Sequence, residues 1–480
     1  MRRFQLRTKA TAPAATPTLS IESMNIDQIL TGRRVLSVEE EVVALAEADN
    51  LQNQVNQDVA ETVRVEDVTD VMLNVADTVE STQVVDPADE NATPAEITPA
   101  QAMLVDTVSE MAVAGTDGDP DDVIETAEPL LEGTPEEKAV AVEAFVENIR
   151  KRAAEIWEKI RKFCLEIWST IKEYFSRIFQ AAPRLLHRVK ELRDFVATAK
   201  KSGGDSPKSG EIMVLVGTTS ISYPDYQVRD TKELLKGLGE LKTLANYAGG
   251  NYLNDAKYMG EAVAVQLKKF DPKKAAEHLN AVAKALPKNN FDGLPANPPT
   301  GYLGCFEVVA HRVDKNKIKD LSDAQVVGAL RNSGVKVQHR AGKQSMINTK
   351  NAFATMNWSE MEQTLSAVEG LVKQMMAVEK SSAMTGIEKA REELIAGGNH
   401  ASQTMAKFEG NDDAGKMERA YAMDVMKSLM NFNTSLTRWM SEMTMPVSKK
   451  IYQTSRVALT LVENSLRQYK SVASPAPAAV

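Results

Sequence analysis

The chain has almost no cysteine and little histidine. Cys164 and Cys305 are its only thiols in 480 residues, so no disulfide framework can hold the fold. Both sulfurs are expected as small buried hydrophobes in a reducing compartment. The five histidines, His187, His278, His311, His339 and His400, keep no metal-ligand spacing. His311 and His339 fall on two expected strands and are the one pair that could be neighbours. No apolar run reaches the roughly 18 residues of a membrane-spanning helix. Gly217-Thr218-Thr219-Ser220 lacks the glycine and lysine spacing of a phosphate loop. Cys305 and His311 are accompanied by no oxyanion-forming motif. These absences lead to the expectation of a protein that is not an enzyme, with no metal and no cofactor.

Aromatic residues are missing over a long stretch. None occurs between Phe4 and Phe145. Such a segment cannot build a dense core of its own. Residues 1–134 are therefore expected to be an acidic, low-complexity region, mostly disordered. Transient helices are expected in it, such as Ser37 to Ala48, where Ser37 and Glu40 make a capping box. Asp117-Gly118-Asp119-Pro120-Asp121-Asp122 superficially resembles a calcium loop. Asp122 stands where that loop needs glycine, and Pro120 interrupts it, so a solvated acidic turn is expected. The basic start, Met1 to Lys9, has no apolar core and is not a secretory signal; its Arg and Thr content superficially fits a transit peptide.

What is present is a charge asymmetry. The whole chain carries −9. Residues 1–148 hold 31 Asp and Glu against 8 Lys and Arg, a net −23; residues 149–480 are net +14. An acidic arm of this kind can neutralise a basic body until it is removed.

Thr134-Pro135-Glu136-Glu137 is a strong helix start, with a cap, proline at the first position and acids in the first turn. Apolar residues then recur every three or four positions to about Phe179, opposite a face rich in Lys and Arg. Residues 135–199 are expected as basic amphipathic helices, broken at Pro183. Ile156, Trp157, Ile160, Phe163, Ile167, Trp168 and Phe175 form the apolar face. Three occupants fit it: another helix or another copy of the chain, a membrane surface along 145–180, or, through the opposite basic face, nucleic acid.

Residues 200–211, with three Gly, three Ser and a Pro, are expected as a flexible linker that a protease can reach. A small α+β region follows over 212–345. Its strand-like runs are Ile212–Val216, Leu303–Arg312 and Val335–Arg340, and Ser322 with Gln325 caps a short helix. Residues 346–472 are expected as an antiparallel helical bundle, with a capping box at Ser359 and Glu362, a stop at Gly397-Gly398 and a break at Pro446. Residues 473–480 are expected to be a disordered tail. The fold class is mainly α, with an α+β body.

Small-x-Glu triplets occur at Ser20-Ile21-Glu22, Ser37-Val38-Glu39, Ala141-Val142-Glu143 and Ser209-Gly210-Glu211. With the basic start Met1-Arg2-Arg3-Phe4, the acidic leader and the basic helical body, the chain resembles the internal head proteins of giant tailed bacteriophages of the phiKZ-like type. The resemblance implies a structural precursor that acts in the phage head after assembly in the host cytoplasm. It implies a prohead protease that cleaves after Glu211, and earlier after Glu22, Glu39 or Glu143. It also implies other capsid or inner-body proteins as partners, association with genomic DNA, and ejection of some members with it. Cutting at Glu211 would leave a body of net +7. The alternatives are a membrane-active or host-interaction protein acting through the 145–180 helix, and an assembly scaffold that is never cleaved.

Overall fold

The computed structural model of the protein describes residues 38–82, 107, 135–201, 206–215, 228–286, 306–311, 321–339, 350–379, 381–408 and 413–469. The fold is mainly α. Two long helices lead: α1 (Val38–Thr82) and α2 (Pro135–Lys201). At 1.5 Å per residue they are about 70 and 100 Å long. They pack antiparallel. Met72, Val75, Ala76 and Val79 near the end of α1 meet Phe145, Ile149, Ile156 and Ile160 near the start of α2. At the other end Glu47 pairs with Arg177 at 3.1 Å.

The continuity of α1 departs from the expectation of disorder over 1–134. Ala48, Gln52, Val55, Val59, Thr62, Glu66, Thr69, Leu73 and Ala76 are all buried, and their spacing alternates between four and three. This is a heptad seam. It contains no aromatic residue because α2 supplies the bulk: Trp168, Tyr174, Phe175 and Phe179 are all buried. The helix draws its stability from that neighbour rather than from its own side chains.

α2 also runs straight through Pro183 to Lys201, where two helices were expected. Proline in a helix interior costs about 3 kcal/mol. Leu185, Val189, Leu192 and Val196 beyond it enter the main core, each an apolar side chain whose burial contributes about 1.5–3 kcal/mol. Packing on both sides outweighs the local defect.

The body is built from β1 (Glu211–Leu215), α3 (Thr231–Tyr247), α4 (Leu253–Lys268), α5 (Ala275–Ala283), β2 (Phe306–His311), α6 (Asp323–Asn332), β3 (Gly334–His339), β4 (Lys350–Ala354), α7 (Trp358–Glu379), α8 (Ser382–Ala406), α9 (Asp413–Met430), α10 (Phe432–Trp439) and α11 (Met445–Leu466). One hydrophobic core runs from Ala48 and Val55 of α1, through α2, to Tyr469. β2 and β3 pair antiparallel as expected, and Ser322 and Gln325 make the capping box of α6. The pairing sets Phe306 against His339 and His311 against Gly334, so the two histidines lie at opposite ends of the ladder and are not neighbours. β1 pairs with β4, a strand absent from the sequence reading.

The cap of α7 lies two residues before the expected one. Asn357 and Glu360 exchange side-chain bonds with each other's backbone N–H at 2.9 and 2.8 Å, in place of Ser359 and Glu362. α7 and α11 are antiparallel, as Met356 N–H donating to Ser465 Oγ and the small cavity lined by both Met375 and Ile451 show. α2 and α11 run parallel, with Tyr174 at Met445 and Arg188 at Glu463. α4 and α8 are parallel too: Gly260 meets Ala390, and Gly397 meets Ala264 and Leu267. Gly397-Gly398 do not stop α8. A Cβ on Gly397 would lie 2.9 Å from Leu267 Cβ and 3.1 Å from Lys268 N, so glycine here serves close helix approach. Gly249-Gly250 lie in a π turn (Ala248–Tyr252) that carries α3 into α4. Pro446 stands in the first turn of α11, after a π turn over Met440–Thr444.

Candidate functional site at the seam between the first helix and the body

The inner face of α1 is unusually polar for a buried surface. Glu41, Gln52, Thr62, Glu66 and Thr69 are all buried. Thr62 and Thr69 satisfy their hydroxyls on the carbonyls of Asp58 and Val65, both at 2.8 Å. Glu41 accepts from the Tyr452 hydroxyl of α11. Glu66 is 2 % exposed and accepts from the Thr434 hydroxyl of α10. Burial pushes the Glu66 carboxyl up to about 8; the Thr434 bond and the Arg331 charge oppose the rise, and Asp70 and Asp67 add to it. At neutral pH Glu66 is therefore largely a neutral acid.

The Thr434 hydroxyl also lies 3.6 Å from Cys164 Sγ, a contact in which either atom can donate. Burial, followed by the nearby Glu66, raises the Cys164 thiol to about 11, so it stays protonated and unreactive. Beside it Arg391, 2 % exposed, donates to Asn433 Oδ1 at 3.1 Å and to the Cys164 carbonyl at 2.8 Å. Its guanidinium lies 4.6 Å over the Trp168 ring. Burial lowers Arg391 to about 10. The cluster locks α1, α2, α8 and α10 together, and it offers no nucleophile.

Ion pairs ring the seam. Asp49 meets Lys449 at 2.8 Å, and Arg331 bonds Asp67 and lies 3.6 Å from Asp70. Among the described residues no group of three or more His, Cys, Asp or Glu could hold a metal. His278 accepts from the Asp271 N–H at Nε2, 3.0 Å, which leaves the proton on Nδ1 for Gln266 Oε1. It braces the turn into α5.

The expected site residues fall in four different settings. Glu22 lies outside the described residues, as do Cys305, the Asp117–Asp122 loop and the tail. Glu39 is the second residue of α1. Glu143 is inside α2, two positions before the buried Phe145. Glu211 opens β1, in register with Ala354. The end of the expected linker is held on both sides. Lys208 N–H donates to the Gln468 carbonyl at 2.6 Å, and the Thr355 hydroxyl and N–H donate to Ser209 O and Gly210 O at 2.8 and 2.9 Å. The polar composition of 206–211 marks a strand edge here rather than a loose tether.

Of the apolar face of α2, Ile156, Ile160, Ile167, Trp168 and Phe175 are buried, while Trp157 and Phe163 are half-buried against the same cores. The chain covers this face with its own α1, α8 and α11, so of the three occupants a neighbouring helix is the one in place. No helix among the described residues is long and apolar enough to cross a membrane.

The sequence model of a single family, the phiKZ-like phage internal head proteins, matches residues 37–463. The chain belongs to that family. No curated protein and no solved structure matches it. The match begins one residue before α1 and ends inside α11, so both long helices belong to the internal head protein fold together with the body. Membership places this protein inside the phage head as a structural component, which accords with the reading of the chain as non-enzymatic.

Proposed function

We propose that this internal head protein is made in the host cytoplasm as a precursor and trimmed by the prohead protease upstream of its fold, after Glu22 or Glu39, with α1 and α2 kept in the head. The observation that supports this reading is the shared core: α2 places Trp168, Phe175, Leu185 and Val196 among the buried residues of the C-terminal helices. Cutting after Glu211 and discarding what precedes it would strip those contacts. Cutting after Glu39 keeps the side chains that α1 places in the core, from Glu41 and Ala44 onward. A protease also needs extended, accessible backbone. Glu39 is in the first turn of α1, where fraying of a helix end exposes it; Glu143 lies further inside a helix and Glu211 in a paired strand, so either would need a larger opening. Trimming at Glu39 removes a segment of net +3 and leaves an acidic chain of net −12. The charge inversion expected from a cut at Glu211 then has no place in this reading. Other head proteins, rather than DNA alone, become the natural partners of such a chain.

The intact mass and first residue of the protein from purified mature particles test this. A chain starting at Ser23 or Glu40 is expected. A chain starting at Ile212, with the upstream helices missing from the particle, overturns it, and so does a chain that still begins at Met1.

A further inference from the structure

A cleft of about 390 Å³ opens where α1, α6 and α9 meet. Asp70 comes from α1, Asp323 and Arg331 from α6, and Tyr421, Asp424 and Lys427 from α9. The floor is apolar, formed by Leu279, Leu330 and Phe432. Its size and its mixture of an apolar floor with a few convergent polar groups are those of a small-molecule site.

The polar groups are unbalanced in one direction. Both bases are engaged by carboxylates: Arg331 by Asp67 and Asp70, and Lys427 by Asp424 at 3.7 Å. Three carboxylates line the cleft against those two bases. The Tyr421 hydroxyl donates to Asp323 Oδ2 at 2.5 Å, so it too is spent as a donor. Burial holds the Asp70 carboxyl above its usual range despite Arg331 and Lys427, the mark of a carboxylate short of positive charge. Asn431 also lines the cleft. It is nine-tenths buried, and its Oδ1 has no hydrogen-bond partner. Asn74, Ser428 and Ser435 add groups that can donate or accept, so the cleft carries one net negative charge over a floor of carbon.

We infer that this cleft binds a small organic cation, a primary ammonium on a short alkyl chain, with its N–H groups on Asp323 and Asp70 and its carbons on Leu279 and Phe432. An anion would meet three carboxylates. A bare metal ion would find no cluster of ligands among the described residues. Because Asp70 and Asn74 of α1 form one wall, the ligand would bridge the first helix to the body. The inference does not depend on where the chain is processed.

Calorimetric titration of the full-length protein with butane-1,4-diamine tests it, with butane-1,4-diol as the neutral isostere. Saturable one-to-one binding of the diamine is expected, with none of the diol. Asp323→Asn, which keeps shape and removes charge, is expected to raise Kd at least tenfold. Ser428→Leu, which fills the cleft, is expected to do the same. Far-UV circular dichroism checks that each variant is folded, and if one is not, the other decides. Absence of saturable diamine binding, equal binding of the diol, or an affinity unchanged in a folded variant overturns the inference; the last of these would mean diffuse surface charge only.

Discussion

Glu66 is a carboxylic acid placed where a leucine would ordinarily sit in a helix seam. Its pKa is raised from the usual carboxylate value to about 8, with burial as the first cause. The folded state therefore holds a proton that the unfolded chain gives up at about pH 4.5. Between those two values the folded state binds more protons, so stability falls as pH rises. The Glu66 contribution is fully present below about 4.5 and lost above about 8. The groups facing it are Thr434 and Cys164, with Arg331, Asp67 and Asp70 further out. Glu66→Gln keeps an acceptor for Thr434 and cannot ionise. It is expected to flatten the decline in stability between pH 5 and 8 and to match or exceed the parent at pH 8. Urea unfolding at both pH values reads this; a variant as pH-sensitive as the parent would show that another group carries the dependence.

At the scale of elements, glycine has opposite meanings on different helices. Gly397 of α8 lies against the backbone of α4, and an added methyl would meet Lys268 N at 3.1 Å. Gly239 of α3 is exposed, with nothing within 4 Å of its missing Cβ. Gly397→Ala is expected to destabilise by about 1–3 kcal/mol, because overpacking against backbone exceeds the gain in helix propensity. Gly239→Ala is expected to stabilise by up to about 1 kcal/mol. Thermal unfolding of the pair checks both signs. The same contrast explains what the sequence could and could not disclose. Local signals were legible: the start of α2 at Pro135, the Ser322–Gln325 box and the β2–β3 pairing depend on neighbours in the chain. Gly397, Pro183 and α1 depend on distant partners. The seam of α1 shows its four-three spacing in the sequence, but Gln52, Thr62, Glu66 and Thr69 hold four of its nine places, so it does not read as hydrophobic. Of the seam cluster, nothing in the sequence marks Glu66, Arg391, Asn433 or Thr434. They come together from three helices over some 370 residues.

For the whole molecule, the shared core predicts which pieces can stand alone. A chain lacking 1–39 is expected to fold with an unfolding midpoint within a few degrees of the parent. A chain lacking 1–211 is expected to aggregate, because the partners of α2 on α7, α8 and α11 would lie open. Size-exclusion chromatography and circular dichroism of the two truncations separate them, and a soluble, helical 212–480 fragment would contradict the core described above. The order of α1, α2 and α11 along the chain also bears on synthesis. Tyr174 of α2 donates to the Met445 carbonyl, 271 residues later. At the usual 5–20 residues per second, α2 leaves the ribosome on the order of ten to fifty seconds before α11 exists. Through that interval its aromatic face is offered to every other nascent chain nearby. α1 has already been made, matches the face in length and charge, and acts as a cover that travels with its own client.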